Sequence, residues 1–381
     1  MRVVIIGGGV IGLVTAWRTA QRGAEVTVVD PEPGGGAARV AAGMLAAVTE
    51  LHYGEESLLA LNLASARRYP AFAAELEEAS GHGIGYRACG TLAVALDADD
   101  RAHLRELHAL HRRCGLDSTW LTGRECRRLE PMLAPGVRGG LRVDGDHQTD
   151  PRRLTAALLT ACERTEVAFV RRRAERLAVA GGRAAGVVLA DGTTVEADRV
   201  VLAAGSESGR LAGVPEEALP PVRPVKGQIL RLRVPSAYAP FLSRTVRALV
   251  RGGHVYLVPR ADGELVLGAT SEELGWDTTV TAGGVYELLR DAHELVPGIT
   301  ELPLVETRAG LRPGSPDNAP LLGPTVLPDL HLATGHHRNG VLLAPITGDA
   351  LAETLTTGEP PEEIRPFTPR RFDRTLQESH T

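Results

Sequence analysis

Lysine is nearly missing from this chain. Of its 42 basic residues only Lys226 is a lysine, so arginine runs such as Arg171, Arg172 and Arg173 read as ordinary solvated faces of an arginine-biased composition. The lone lysine is then either a plain surface residue or a position with a specific need for a compact ammonium. Basic charge is not in excess: a formal net charge of −5 and a pI near 6.2 leave no electrostatic footprint for nucleic acid or an anionic membrane. The four cysteines, Cys89, Cys114, Cys126 and Cys162, lack CxxC spacing and a nearby histidine cluster. They argue against a zinc ribbon or a disulfide framework and for reduced, structural thiols. His147, His331, His336 and His337 lack a paired ligand spacing, so no metal site is expected. No run reaches the ~18 apolar residues of a membrane span. The first residues enter a core strand at once, without room for a signal peptide, and a cytoplasmic protein is expected.

The first thirty residues, by contrast, form a complete unit. The strand Arg2 to Ile6 runs into Gly7, Gly9 and Gly12, an amphipathic helix follows, and a second strand ends on the acidic Asp30. Gly7 permits the tight turn, Gly9 lets the backbone approach a pyrophosphate, and Gly12 lets the helix pack close to the strand. The diphosphate would lie on the helix N-terminus, where unpaired N–H groups and the helix dipole stabilise anionic oxygens, and Asp30 can accept from a ribose diol. A glycine-rich turn alone is weak evidence; strand, helix and closing acid together predict a dinucleotide clasp.

With 381 residues, of which 43% are hydrophobic, two or three domains with buried cores are expected. A glycine and alanine stretch, Gly34 to Ala47, reads as a loop, Glu55 to Ser80 as a helix, Gly90 to Leu96 as a strand and Asp99 to Cys114 as a helix. Asp150 before Pro151 predicts an N-cap and a helix to about Arg164. Short apolar runs follow, punctuated by Gly181-Gly182 and Asp191-Gly192 turns, and Arg199 to Gly205 returns as a buried strand. From Val225 the strands lengthen (KGQILRLRV, HVYLVPR, ELVLGAT), which predicts a second sheet. A helix at about Ala282 to Leu295 and a closing helix from about Thr347 to Thr357 complete the pattern. The last fifteen or so residues, with Pro366 and Pro369, read as a poorly ordered tail.

GGGVIG, AAGML, HVYLVPR, GLRPGSPDNAPLLG and GHHRNGVLLAPIT, in this order and at these distances, resemble the FAD-dependent amine oxidases of the D-amino-acid oxidase superfamily, and among them the glycine oxidases of thiamine biosynthesis. The resemblance covers essentially the whole chain. It implies an α/β plus α+β fold: a glutathione-reductase-like FAD-binding domain from segments 1–85, 141–225 and 320–381, and a substrate domain on a large antiparallel sheet from 86–140 and 226–319. It also implies that Val10, Ile11, Asp30 and Pro31 contact adenosine and pyrophosphate, that Ala42, Gly43 and Met44 lie over the flavin, and that Ala174 contacts the adenine side through its backbone. The segment His336, His337, Arg338, Asn339, Gly340, Val341, Leu342 would surround the isoalloxazine, and Gly205 joins the cofactor set. Where the family often carries Ser or Thr just before AAGM, this chain has Ala37, Ala38 and Arg39, so a phosphate contact would come from backbone or from Arg39.

By the same resemblance Arg312 binds the substrate carboxylate and also counts among the cofactor-binding residues, Tyr256 donates to that carboxylate, and Arg338 lies near substrate and flavin; His254, two residues from Tyr256 on the same strand face, would shape the pocket. No dedicated catalytic base is implied. The expected partners are a small amino acid, glycine above all, and oxygen, with possible hand-off of the imine to a thiazole synthase; the FAD is non-covalent, since no cysteine sits in a flavin-contacting motif. Relatives imply a homo-oligomer, possibly a tetramer. Alternatives remain at this stage: a sarcosine or D-amino-acid oxidase, an FAD-dependent amine dehydrogenase with another acceptor, or a non-catalytic flavin subunit. On position alone, Arg312 could close a salt bridge under its turn and Tyr256 could be a core aromatic.

Overall fold

A computed structural model of the protein describes residues 1–250 and 252–372. The opening strand Arg2–Ile6 alternates its side chains between two cores. Val3 and Ile5 face the helices Val10–Gln21, Pro151–Arg164 and Ala344–Thr357, whereas Val4 and Ile6 face a small antiparallel sheet of Ala174–Ala180, Arg183–Leu189 and Thr194–Glu196. Burial on both faces is why this strand reads as an unbroken apolar run. It is central in a six-stranded sheet ordered Leu321–Pro324, Leu330–Thr334, Arg199–Leu202, Arg2–Ile6, Glu25–Val29, Ala168–Val170. All neighbours are parallel except the first pair. The Asp150 carboxylate caps its helix as expected, accepting from the backbone N–H groups of Arg152 and Arg153 at 2.9 and 3.3 Å.

The second sheet has eight strands in the order Leu304–Gly314, Arg223–Arg233, Glu264–Gly268, Gly253–Pro259, Thr245–Val250, Thr91–Ala95, Gly139–Val143, Thr119–Thr122. It is antiparallel throughout except where Thr245–Val250 runs parallel to Thr91–Ala95. The helix Ala282–Leu295 covers one face through Leu288, Ala292 and Leu295. Toward the other face Ile229, Val258 and Val266 pack with Ala42 and Met44 of the glycine and alanine loop, so loop and sheet enclose a space between the two halves. The loop is also stapled by a short ribbon, Met44–Leu45 paired with His147–Gln148.

Three expectations need correction. The boundaries at 141 and at 225 fall inside strands: Gly139–Val143 and Arg223–Arg233 each belong whole to the eight-stranded sheet, because their hydrogen-bond ladders continue across those positions. The closing helix begins at Ala344, three residues early, since Pro345 sits in its first turn where no N–H is needed. The start of the tail is packed rather than loose: Ile364 and Phe367 are buried against the nucleotide-side core and Arg371 pairs with Asp317 at 2.9 Å. The remainder, 373–381, lies outside the described residues.

Candidate active site

A single cavity of about 970 Å³ runs from the glycine turn to the inner face of the eight-stranded sheet. At the nucleotide end Gly7 has φ 109°, and a Cβ there would come 2.5 Å from the Ala203 carbonyl oxygen. A Cβ at Gly12 would lie 1.8 Å from the Gly7 oxygen, so only glycine lets helix and strand meet. At Gly9 the opposite holds: a Cβ would meet no protein atom within 4 Å and would fill the space before the helix N-terminus. That is the cradle a pyrophosphate requires. Asp30 accepts from Gly8 N at 2.6 Å and from Glu32 N at 2.7 Å, which fixes its carboxylate at the cavity wall with further lone pairs in hand for a ribose.

Midway, the loop carrying Ala42, Gly43 and Met44 is held from behind by Arg260, the last residue of HVYLVPR. Its guanidinium donates to the carbonyl oxygens of Ala42 and Thr149 and to the side-chain oxygen of Gln148. Burial pushes its pKa down to about 10, the nearest carboxylates compensating only in part. Gly43 takes φ 73°, with Thr149 O only 2.1 Å from where a Cβ would be.

At the far end the sheet register sets the chemistry. Tyr256 pairs with Gly268 on one side and with Arg247 on the other. A Cβ at Gly268 would be 2.4 Å from the tyrosine hydroxyl oxygen, and a Cβ at Gly227 would lie 2.5 Å from both terminal nitrogens of Arg312. Two glycines thus clear the floor for two functional side chains. Arg312 donates to the carbonyl oxygens of Thr270 at 3.2 Å and Lys226 at 3.4 Å. Among the described residues no carboxylate pairs with it. Burial raises the Tyr256 pKa despite the neighbouring Arg312, so its hydroxyl keeps its proton and remains a donor. The motifs GLRPG and GHHRNG meet here: His337 N donates to Pro313 O at 2.9 Å, and His337 adopts φ 47°, an uncommon conformation for a non-glycine residue.

Of the expected positions, Gly7, Gly9, Val10, Ile11, Asp30, Pro31, Ala42, Gly43, Met44, Ala174, Gly205, His254, Tyr256, Arg312, His336, His337, Arg338, Gly340 and Val341 border this cavity. Gly12, Asn339 and Leu342 do not. Gly12 is consumed by helix packing, while Leu342 is 2% exposed and turns into the nucleotide-side core, its carbonyl accepting from Ser65 at 2.7 Å. Asn339 is buried at 3% exposure beneath the turn. Arg39 lines the cavity but is paired with Glu32 at 2.6 Å. Arg338 is likewise committed, to Glu55.

Among the cavity residues that the sequence did not point to are Glu50, His52 and Arg247. Glu50 lies 3.2 Å from Arg247 and 3.9 Å from Arg338. Burial pushes its carboxyl up, but the two guanidinium groups outweigh this and hold it below its ordinary value. His52 and His254 stack edge to face at 5.9 Å. Desolvation inside the cavity lowers both, with Arg338 adding to the effect at His52 and Arg247 at His254, so both imidazoles are neutral near pH 7. The segment preceding Glu50 is bracketed by buried Asp146, which accepts from Val48 N at 3.0 Å and Thr49 N at 2.7 Å. Only the register beside Tyr256 marks Arg247, and register is not written in a single strand's sequence.

Taken together, the glycine cradle, the closing acid and the cavity leading from them to a guanidinium with no carboxylate partner among the described residues define a flavin-dependent oxidoreductase fold and site. A family model described as DAO, FAD dependent oxidoreductase, matches residues 2–354, and the chain belongs to that family, whose cofactor is FAD. Among curated relatives, a bifunctional protein ThiO/ThiG of Synechocystis is 36% identical over 97% of this chain and 54% of its own length. The chain therefore spans about half the length of that relative. A glycine oxidase of Geobacillus kaustophilus is 34% identical over 96% of both chains. The crystal structure of glycine oxidase from Geobacillus kaustophilus superposes with a TM-score of 0.89, covering 96% of this chain and 98% of that one.

Proposed function

We propose that the protein is an FAD-dependent oxidase of glycine and similarly small amino acids, with oxygen as electron acceptor. The observation that carries this reading is Arg312: a cavity guanidinium with no acidic partner among the described residues, beside a protonated Tyr256 hydroxyl. Its planar fork suits a bidentate grip on one carboxylate, and the tyrosine supplies a further donor. FAD, when bound, supplies hydride acceptance from the carbon that bears the amine and passes the electrons to oxygen, giving peroxide.

The chain's own residues bind, orient and exclude water. Arg312 and Tyr256 fix the carboxylate, and hence the direction of the Cα–H, from the sheet side. Neutral His52 and His254 place no positive charge against the amine, which must itself be neutral to react. The loop Ala42 to Met44, clamped by Arg260, forms the opposing wall. No side chain is needed as a dedicated base, and the product is an imine that hydrolyses to glyoxylate. The fusion of a similar half to a second half in the ThiO/ThiG relatives supports a place in thiamine synthesis, where that imine would be passed to the thiazole-forming step. The FAD is held without a covalent link. All four cysteines are free thiols and none borders the cavity.

The test is the visible spectrum of the purified protein, followed during addition of glycine without oxygen. Bleaching of the flavin band by glycine, reversed by air, is the expected result. Bleaching that air does not reverse would move the protein to the dehydrogenases, and a band that glycine leaves unchanged would refute glycine as substrate.

A further inference from the structure

The far end of the cavity holds Arg247, Arg312 and Arg338, and among the described residues only Arg312 has no carboxylate partner. Arg338 is neutralised by Glu55, and Arg247 by Glu50 at 3.2 Å, which leaves Arg312, uncompensated among the described residues, for one substrate carboxylate. Arg247 stands directly across the strand ladder from Tyr256, so their Cβ atoms are about 5 Å apart. That places the Arg247 guanidinium within reach of a second acidic group on any ligand already gripped at Arg312 and Tyr256. Glu50 itself borders the cavity and is held ionised by the guanidinium groups on either side.

We propose that Glu50 is the specificity-determining residue of this site: by occupying Arg247 and presenting its own negative charge, it reserves the cavity for amines that carry a single carboxylate. A ligand with a second carboxylate would have to displace Glu50 from Arg247 and lie against a like charge. The position of Glu50 is built rather than incidental. Asp146 fixes the two preceding backbone N–H groups, and His111 Nε2 contacts Val48 O at 3.0 Å. The inference rests on Arg312 as the carboxylate grip and adds the class of amine excluded.

The experiment uses the flavin-loaded protein and two unreactive probes, methoxyacetate with one carboxylate and oxydiacetate with two, each titrated against the flavin absorption band. The parent should bind methoxyacetate more tightly than oxydiacetate. Glu50→Gln, close to isosteric, should shift the ratio toward oxydiacetate by about tenfold or more, the scale of one charge-assisted contact. The double variant Glu50→Gln with Arg247→Met should lose that gain, and Glu50→Asp should keep the parent preference. An unchanged ratio in Glu50→Gln, or a gain that survives loss of Arg247, overturns the assignment of Glu50. If methoxyacetate fails to perturb the parent flavin at all, the Arg312 reading falls first and this one with it. Flavin content of each variant verifies that the cavity is intact, and Glu50→Asp keeps the test open should Glu50→Gln not fold.

Discussion

Adding one methyl group at Gly227 should disable substrate binding without touching a substrate-binding residue. A Cβ built there lies 2.5 Å from both terminal nitrogens of Arg312 and 2.6 Å from its central carbon. Ordinary non-bonded contact begins near 3.5 Å, so the guanidinium must retreat by about 1 Å. The retreat is inexpensive for the fold, because the obstructed atoms are the end of a long side chain held by neutral partners, carbonyl oxygens at 3.2 and 3.4 Å among them, and Gly227 has no left-handed backbone that alanine would strain. For a substrate it is costly. A displacement of that size at an orienting group costs on the order of 100-fold in rate. Gly227→Ala should therefore keep its flavin, its melting temperature within a few degrees, and lose about 100-fold in kcat/KM for glycine, read by peroxide release or anaerobic bleaching. Parent-like kcat/KM with a crystal or spectroscopic demonstration that Arg312 has moved would refute the carboxylate assignment and return Arg312 to a structural role.

Arg312→Leu should also retain FAD but weaken glycine binding by at least about 30-fold, since losing the charged partner of a desolvated carboxylate costs about 2 kcal/mol or more; parent affinity in an anaerobic titration would overturn it. Lys226→Arg should lower the melting temperature and expose the segment after Thr270 to proteolysis, because a fork larger than the ammonium must fit a fully enclosed site; unchanged proteolysis would show that the site tolerates either cation. Acid should destabilise the fold. Burial lowers His111 and His331 to about 4 and His336 to about 3, so they stay neutral when folded while the unfolded chain takes up protons below about 6.5. Stability then falls as pH drops below 6.5, partly offset by Asp146, which burial raises to about 6 and which favours the folded state on protonation. For these four groups alone the unfolded chain takes up about two more protons, roughly 2–3 kcal/mol per pH unit, and His254 and His337, both lowered to about 4, steepen the slope further. Thermal melts from pH 7 to 5 should follow this slope downward, and a flat or rising profile would contradict neutral burial.

What could be read from the sequence was local and periodic. The clasp from Arg2 to Asp30, the Asp150-Pro151 helix start and the helix Ala282–Leu295 stand where the patterns put them, because capping residues, turn glycines and apolar periods act within a few positions of themselves. The positions of HVYLVPR, GLRPG and GHHRNG in the cavity followed from family resemblance, and what each residue touches did not. Tyr256 and His254 were expected on one face; that Arg247 completes the row depends on the pairing of Thr245–Val250 with Gly253–Pro259. Glu50 and Asp146 are 96 residues apart in sequence, and only the three-dimensional bracket around Thr49 connects them. Arg247 was also hidden by composition: in a chain with so many arginines, identity alone carries almost no information.

The same composition makes Lys226 informative. Its side chain is fully enclosed, with Asp277 at 3.1 Å and Glu272 at 3.4 Å, and these carboxylates outweigh burial so that its pKa is raised and it stays an ammonium. Both acids lie on the segment whose Thr270, Ser271, Trp276 and Thr278 border the cavity. Gln228, one pleat along, holds the same segment through Glu272 and Thr281. At the cavity side, the backbone oxygen of Lys226 accepts from Arg312, over the bare surface of Gly227. One short stretch of strand, Lys226 to Gln228, thus anchors the cavity wall with its side chains and seats the Arg312 guanidinium with its backbone. A second arginine fork at 226 would bring a larger cation into an enclosed site already matched to two acids, whereas a compact point charge satisfies both. Of the two readings open for the lone lysine, the structure selects the specific need over the plain surface residue.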